Sequence, residues 1–478
     1  MSEKKEKYIS KEKYISSEEM DRQKEYERKI KSYIDAQENT KKAAVITYGC
    51  QQNENDSERI RGMLKECGYE ITENQDEADL IIYNTCAVRD HAEQKVFGNL
   101  GALKNLKRKK RDLIIGVCGC MMQQKQVADK IKKKYDHVDL IFGTHTLYEL
   151  PSLLYDILSK HKRSIKIEDI DGQIAEDMPI LRESGVTAYI SVMYGCNNFC
   201  SYCIVPYVRG RERSRKSEDI LKEVREVSKQ GYKEIMLLGQ NVNSYGKDLD
   251  EEIDFSDLLN KVSEIDGIGR IRFMTSHPKD FNEKLMYTIR DNKKVTKQLH
   301  LPVQAGSDKV LKDMNRKYTA KDYIKKLEKM REIVPDICVT TDIIVGFPTE
   351  TNEDFNDTIE LIKKVRYDSI YSFIYSKRTG TPAAKMEMAL SDEQIHKNFE
   401  KMLEVQNEIS LEINKGYIGS IQQVLAESES KTDEKMISGR TNGGKIVHFE
   451  ADKSVIGKMV DVKITSVKTW FLRGEAVE

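Results

Sequence analysis

A chain of 478 residues has room for about three domains at roughly 100–200 residues each. It is 39% hydrophobic and 33% charged, and 79 basic residues balance 79 acidic ones, so net charge argues neither for nor against a nucleic-acid partner. No run approaches the ~20 apolar residues of a membrane span, and the N-terminus carries no apolar secretory core. The expected location is cytoplasmic, with nine reduced cysteines suited to metal or cluster ligation rather than disulfides.

In chain order, residues 1–40 are rich in Lys and Glu with few apolar positions, and read as a charged extension, either a solvated helix or a disordered arm. From Lys41, apolar strands at 43–47, 80–83, 113–117 and 140–142 alternate with helical spacing such as Ile60, Leu64 and Cys67, stopped by Gly68. That alternation predicts a doubly wound parallel α/β domain over 41–159. A polar connector near 160–180 leads to a second series of strands at 189–193, 235–238, 271–274, 299–303, 339–345 and 370–375. Ser217, Thr319 and Thr351 are placed to cap intervening helices. Six βα units predict a partial (β/α)6 barrel over 180–412, with its chemistry at the carboxyl ends of the strands. Beyond about 412, short alternating runs at 421–425, 445–449 and 459–464, separated by glycines, predict a small antiparallel β-barrel over 415–478. The fold class is therefore multidomain α/β.

Cys196, Cys200 and Cys203 follow the first barrel strand in the spacing C-x3-C-x2-C. Three such thiolates can hold a four-iron cubane by three irons and leave the fourth open. A structural zinc site would want four closed ligands, usually as two separated pairs, and unrelated thiols are the blander alternative. Cys50, Cys86 and Cys120 are 36 and 34 residues apart, about one βα unit each, and each lies just past a predicted strand. Parallel strand ends share one rim, where open α/β sheets bind ligands, so these cysteines predict a second cluster. Cys118 competes with Cys120 but suits packing as a small hydrophobe, as do Cys67 and Cys338. Arg209, Arg211, Arg213 and Arg215 directly follow the first cysteine loop and read as RNA phosphate contacts or as structural partners of carboxylates. The basic run Lys104–Arg111 is either a second RNA contact or a solvated helix end.

With Thr47–Asn53 (TYGCQQN), both cysteine triads and Tyr207–Arg215 (YVRGRERSR) in view, the chain resembles the radical S-adenosylmethionine (SAM) methylthiotransferase family over about 41–478. That family's order is an N-terminal cluster domain, a radical SAM core and a C-terminal TRAM RNA-binding domain. Gly239–Tyr245 and Leu301–Ser307 make the chain most similar to the MiaB type, the tRNA-2-methylthio-N6-dimethylallyladenosine synthases. Gln52 stands where Met is usual in the motif.

The resemblance implies a sulfur-group transferase that methylthiolates C2 of N6-dimethylallyladenosine at position 37 of tRNA. That C–H bond is aromatic and not appreciably acidic, so a side-chain base is of no use and a cofactor-borne radical is. The implied cofactors are SAM and two 4Fe-4S clusters. The one on Cys196, Cys200 and Cys203 reduces SAM to methionine and a 5′-deoxyadenosyl radical. The one on Cys50, Cys86 and Cys120 holds or donates sulfur, and a second SAM supplies the methyl group. Gly239, Gln240, Asn241, Gln304, Ser307, Asp342 and Tyr202 are the expected SAM-side contacts, each with turn or loop chemistry as the alternative. His91, His145, His277 and His300 have no assigned role. In the TRAM-like barrel, Trp470, Phe471 and Arg473 either stack on RNA or close the core. The expected partners are a tRNA anticodon stem-loop and an electron donor such as a flavodoxin or ferredoxin, with no membrane and a monomeric chain. Rival readings are methylthiolation of N6-threonylcarbamoyladenosine in tRNA and a non-catalytic RNA-binding iron–sulfur protein.

Overall fold

The computed structural model describes residues 13–88, 90–168, 172–182, 185–430 and 435–477, with backbone alone for 90–92, so that His91 lies outside the described side chains. The chain divides into two compact units. One takes the residues up to 183 together with 194–197 and 204–215, and the other takes the remainder.

The first unit runs α1 (Ser17–Asp35), β1 (Lys42–Tyr48), α2 (Gln51–Glu66), β2 (Glu70–Ile71), β3 (Leu80–Thr85), α3 (Asp90–Lys109), β4 (Ile114–Gly119), α4 (Lys125–Lys134), β5 (Leu140–Phe142), α5 (Leu150–Lys160) and β6 (Ser164–Lys166). All six strands are parallel, in the order β2-β1-β3-β4-β5-β6. β3 and β4 are buried at every position, as strands covered on both faces must be. Leu80 and Ile82 face one core layer, and Ile81 and Tyr83 the other. The strand order reverses between β1 and β3, which opens a crevice at their carboxyl ends.

Residues 17–35 form a helix, one of the two readings of their composition, but a docked one rather than a solvated one. Ile30 and Ile34 are one helical turn apart, so two apolar residues suffice to make a contact stripe. Both are buried, in the same core layer as Leu64 and Leu154. Ser16 fixes the start of α1 by accepting a hydrogen bond from the Glu19 N–H at 3.2 Å. The polar connector likewise contributes an edge strand, β6.

The chain continues through β7 (Thr187–Ser191), β8 (Met193–Tyr194), α6 (Val205–Val208), β9 (Arg213–Ser214), α7 (Ser217–Lys229), β10 (Glu234–Leu238), α8 (Phe255–Ser263), β11 (Arg270–Phe273), α9 (Glu283–Asp291), β12 (Gln298–His300), α10 (Asp308–Asp313), α11 (Ala320–Ile333), β13 (Cys338–Val345), α12 (Asn352–Val365), β14 (Ser369–Ile374) and α13 (Asp392–Lys415). In the second unit β7, β10 and β11 form one parallel ladder and β12, β13 and β14 another. A parallel bridge from Ile271 to Val295 joins them into the expected partial barrel. Ile235, Leu237, Ile271, Val339 and Ile343 pack outward with the helices, which turns the alternate residues inward. Thr319 and Thr351 form capping boxes with Asp322 and Asp354. Ser217 does not cap α7. The N-cap is Lys216, and the Ser217 hydroxyl instead donates to Glu251 at 2.5 Å.

The C-terminal segment closes as a five-stranded barrel from β15 (Ile421–Glu429), β16 (Met436–Thr441), β17 (Ile446–Glu450), β18 (Met459–Val467) and β19 (Leu472–Ala476), around Val424, Ile437, Phe449 and Leu472. It docks at the amino ends of the (β/α)6 strands. Lys445 pairs with Asp368 at 2.8 Å, and Arg270 donates to the Arg440 carbonyl at 2.9 Å. Trp470 is exposed, and the Phe471 ring meets His448 edge-on at 5.0 Å.

Candidate active site

Cys50, Cys86 and Cys120 stand immediately beyond the ends of β1, β3 and β4. The fold brings them together on one rim. Cys86 and Cys50 are close enough to influence each other's thiol, and Cys120 is near enough to interact electrostatically with both. Cys50 also occupies the N-cap position of α2, where free helix N–H groups favour a thiolate. The Cys86 thiol, and the Arg209 guanidinium nearby, hold Cys50 below the ordinary thiol range. Burial raises Cys120. Cys118 turns the other way, into the core layer of Leu80 and Leu140. Among the described residues no three His, Cys, Asp or Glu side chains converge on a single ion. In a cubane cluster each thiolate binds a different iron, so one-ion chelation is not the geometry required.

The rim rests on an amide network. Asn84 Nδ2 donates to the Asn53 carbonyl at 2.8 Å and to Ser57 Oγ at 3.0 Å, while Asn53 Nδ2 donates to Asn84 Oδ1 at 3.1 Å. Gly119, at φ 93°, lets β4 end against this network. A Cβ there would stand 2.4 Å from both Asn84 Oδ1 and the Thr85 carbonyl. An asparagine inside an otherwise apolar strand was the signal for Asn84, and its partner Asn53 lies in the TYGCQQN motif.

Of the arginines after the cysteine loop, Arg209 serves this rim. Arg209 is buried, with Nε donating to Cys120 Sγ at 3.0 Å and Nη2 to Asp56 at 2.7 Å. Burial opposes its charge, but Asp56 and the neighbouring sulfurs outweigh that and keep it firmly protonated. Arg213 is buried and donates to the Arg209 and Arg211 carbonyls. Arg215 is buried in a two-point pair with Glu176, both contacts at 2.7 Å. Arg209 and Arg215 thus meet carboxylates, the second of the two readings of this run, and charged groups this deep need such fixed partners. Arg211 remains half-buried. In the basic run, Lys104 and Lys107 pair with Asp136 and Asp139.

Within the first unit, Cys196 N–H donates to the Gly210 carbonyl at 3.1 Å. Within the second, Cys200 and Cys203 lie on the loop at the carboxyl end of the barrel strands. Cys203 N–H closes a tight turn onto the Cys200 carbonyl at 3.0 Å, and Asn315 Nδ2 holds the Phe199 carbonyl at 3.0 Å. Arg316 is buried and donates from Nη1 to Cys200 Sγ at 3.3 Å, from Nε to Tyr318 at 2.6 Å and from Nη2 to the Pro302 carbonyl at 2.6 Å. Each triad thus has one buried arginine donating to one of its sulfurs. Sequence reasoning missed Arg316, because a single arginine 116 residues from Cys200 carries no local signal.

The expected SAM contacts divide. Gln240 Oε1, Asn241 Oδ1, both Asn243 amide atoms and Ser276 Oγ are buried after β10 and β11 without a protein partner. Unmet buried polar atoms cost about 1–3 kcal/mol each, so this rim suits a polar ligand such as the amino-acid end of SAM. Gly239 allows the chain to pass Met193, whose Cγ would lie 2.6 Å from a Cβ. Ser307 is committed elsewhere, as the cap of α10 and a donor to Asp354 at 2.6 Å. Gln304 takes φ 77° and its N–H donates to the Asp342 carbonyl at 2.9 Å. Asp342 Oδ1 lies 3.5 Å from His300 Nε2. Tyr202 packs against the cluster of Ala305, Leu311 and Phe347.

The Radical SAM superfamily pattern matches residues 190–362, that of uncharacterized protein family UPF0004 matches 42–143, and the TRAM domain pattern matches 415–477. The tRNA-2-methylthio-N(6)-dimethylallyladenosine synthase of Acetivibrio thermocellus is 58% identical over 431 residues, 90% of each chain. The chain belongs to this family. The synthases of Thermoanaerobacter pseudethanolicus and Clostridium beijerinckii are 54% and 55% identical, covering 91% and 90% of this chain and 92% and 95% of theirs. Among solved structures, the radical SAM methyltransferase TsrM from Kitasatospora setae overlays with a TM-score of 0.52 at 12% identity, over 80% of this chain and 81% of that one, which is a likeness of fold. As a radical SAM methylthiotransferase, the protein is an enzyme that works with SAM and two 4Fe-4S clusters. No described helix is long and apolar enough to cross a membrane.

Proposed function

We propose that this protein converts N6-dimethylallyladenosine at position 37 of tRNA to its 2-methylthio derivative, with Cys196, Cys200 and Cys203 ligating the SAM-binding cluster and Cys50, Cys86 and Cys120 the other. The observation that carries the substrate is the 58% identity to a synthase of that name across 90% of both chains. What the bound cofactors supply is radical hydrogen abstraction from an unacidic aromatic C–H bond, a sulfur atom and a methyl group.

The chain's own groups position and shield. Arg209 and Arg316 each fix one cysteine sulfur by a charge-assisted hydrogen bond. The unpartnered Asn241 Oδ1 and the unpartnered amide of Asn243 are poised to take the polar end of SAM. His277, buried beside Arg316, has its pKa pushed down to about 2, mainly by burial and then by that guanidinium, so it stays neutral and adds no competing proton source. With three of the loop arginines engaged internally, RNA contact falls to surface groups such as Trp470 of the TRAM barrel, 56% exposed. The electron donor is a protein such as a flavodoxin or ferredoxin, and the enzyme acts as a cytoplasmic monomer.

Anaerobically reconstituted protein given SAM, reductant and a dimethylallyl-modified anticodon stem-loop tests the reading. About eight irons per chain and methylthio product by mass spectrometry are expected. Product only with a threonylcarbamoyl stem-loop would move the substrate to the sibling reaction. Iron without SAM cleavage would leave a non-catalytic RNA-binding protein.

A further inference from the structure

β14 presents two different faces. Ile370 packs outward with the helices and is 8% exposed, and Ile374 borders the same core. Tyr371 and Phe373 lie on the opposite face, toward the barrel interior, and are 46% and 48% exposed. Their inward direction is fixed by His300, whose neighbours Leu299 and Leu301 belong to the outward core and whose ring meets Tyr371 edge-on at 5.5 Å. The third residue of the row, Tyr375, joins the cluster that includes Tyr202 of the cysteine loop, and its Oη is buried without a protein partner. Asp342 sits opposite Tyr371 in the β13–β14 register, and Ile344 opposite Phe373.

Two aromatic rings left half uncovered on an inner wall forgo burial free energy on the order of 1 kcal/mol each. A core built only for stability would cover them. The wall offers stacking faces, one carboxylate acceptor beside Tyr371, a branched aliphatic beside Phe373, and a path that ends at the cysteine loop. That set matches a flat heterocycle with an exocyclic N–H and a short branched apolar substituent. We propose that this inner face of β14 is the subsite for the substrate's adenine and its N6-dimethylallyl chain, with Tyr371 and Phe373 as its walls and Asp342 as acceptor for the N6–H. The proposal rests on the substrate reading above and deepens it. SAM carries an adenine too, so the two sources of that ring must be told apart.

The test uses the reconstituted full-length enzyme and two anticodon stem-loops of one sequence, with and without the dimethylallyl group, titrated by fluorescence anisotropy, with SAM affinity measured separately. Wild-type enzyme is expected to prefer the prenylated RNA by about tenfold or more. Tyr371→Ala and Phe373→Ala are expected to bring that ratio to within about twofold, with SAM affinity, iron content and thermal midpoint unchanged, while Phe373→Tyr keeps most of the preference. Alanine variants that lose SAM affinity yet still discriminate between the RNAs would assign the wall to the cofactor and overturn the proposal. Variants that match wild type in both respects would overturn it as well. A wild-type enzyme blind to the prenyl group would fail the substrate reading itself, and the subsite with it.

Discussion

Arg209 Nε donates to Cys120 Sγ at 3.0 Å while the same guanidinium reaches Asp56 at 2.7 Å. One cation therefore ties a residue that follows the C-x3-C-x2-C loop in sequence to a thiol of the other triad and to helix α2. Removing it leaves Asp56 buried and unpaired, which costs about 3–5 kcal/mol. Arg209→Gln is expected to lower stability by that amount in denaturant titration and to reduce the iron bound at Cys50, Cys86 and Cys120. Adding Asp56→Asn should recover most of the stability. If the double variant is no more stable than the single one, the pair is not what holds the rim.

The triads should lose iron independently. Replacing Cys50, Cys86 and Cys120 together by alanine should halve the iron, from about eight to about four per chain, and leave SAM cleavage by the other cluster measurable. The Cys118→Ala variant should keep its full iron, because that thiol is packed in the core. Iron lost from Cys118→Ala but kept in Cys120→Ala would reverse the assignment of the third ligand.

Gly119 combines φ 93° with a space that a methyl group cannot enter. Gly119→Ala is expected to cost about 2–4 kcal/mol, since both the backbone conformation and the Asn84–Thr85 contacts must give way. Gly98 sits in mid-helix, with no atom within 4 Å of the point a Cβ would occupy, and should gain stability from the same change, by about 0.5–1 kcal/mol. Differential scanning of the two variants side by side separates the effects.

Glu27 on α1 gives a pH signature. Burial first, and the Glu66 carboxylate second, push its pKa from 4.5 up to about 7. The folded state therefore holds this proton more tightly than the unfolded one. The resulting stability is complete below about 4.5 and is lost as pH rises through about 7. Relative to Glu27→Gln, the wild type should lose about 1–2 kcal/mol between pH 5 and pH 8. A constant difference across that range would mean that Glu27 is ionised throughout.

The α1 helix itself should matter to stability. Ile30→Ala is expected to destabilise the first unit by about 2–4 kcal/mol, since Ile30 is 0% exposed. A change below about 0.5 kcal/mol would restore the view of this segment as a solvated arm.

What the sequence determined by itself was everything written in local spacing or local period. The C-x3-C-x2-C run, the alternation of apolar strands with amphipathic helices, and the cysteines placed one βα unit apart depend on short-range geometry: the pleat, the helical turn and the shared direction of parallel strands. The strands bearing Cys50, Cys86 and Cys120 were legible for that reason. Tertiary structure alone decided the roles of groups whose partners are far along the chain. Arg209, Arg213 and Arg215 look in sequence like a phosphate grip. They are buried, and Asp56, Glu176 and main-chain carbonyls hold them. Arg316, Tyr371 and Phe373 carried no sequence signal, because whether a charge is paired or a ring is covered depends on what packs beside it. Electrostatics and burial act through space, and space is assigned only when the strands close.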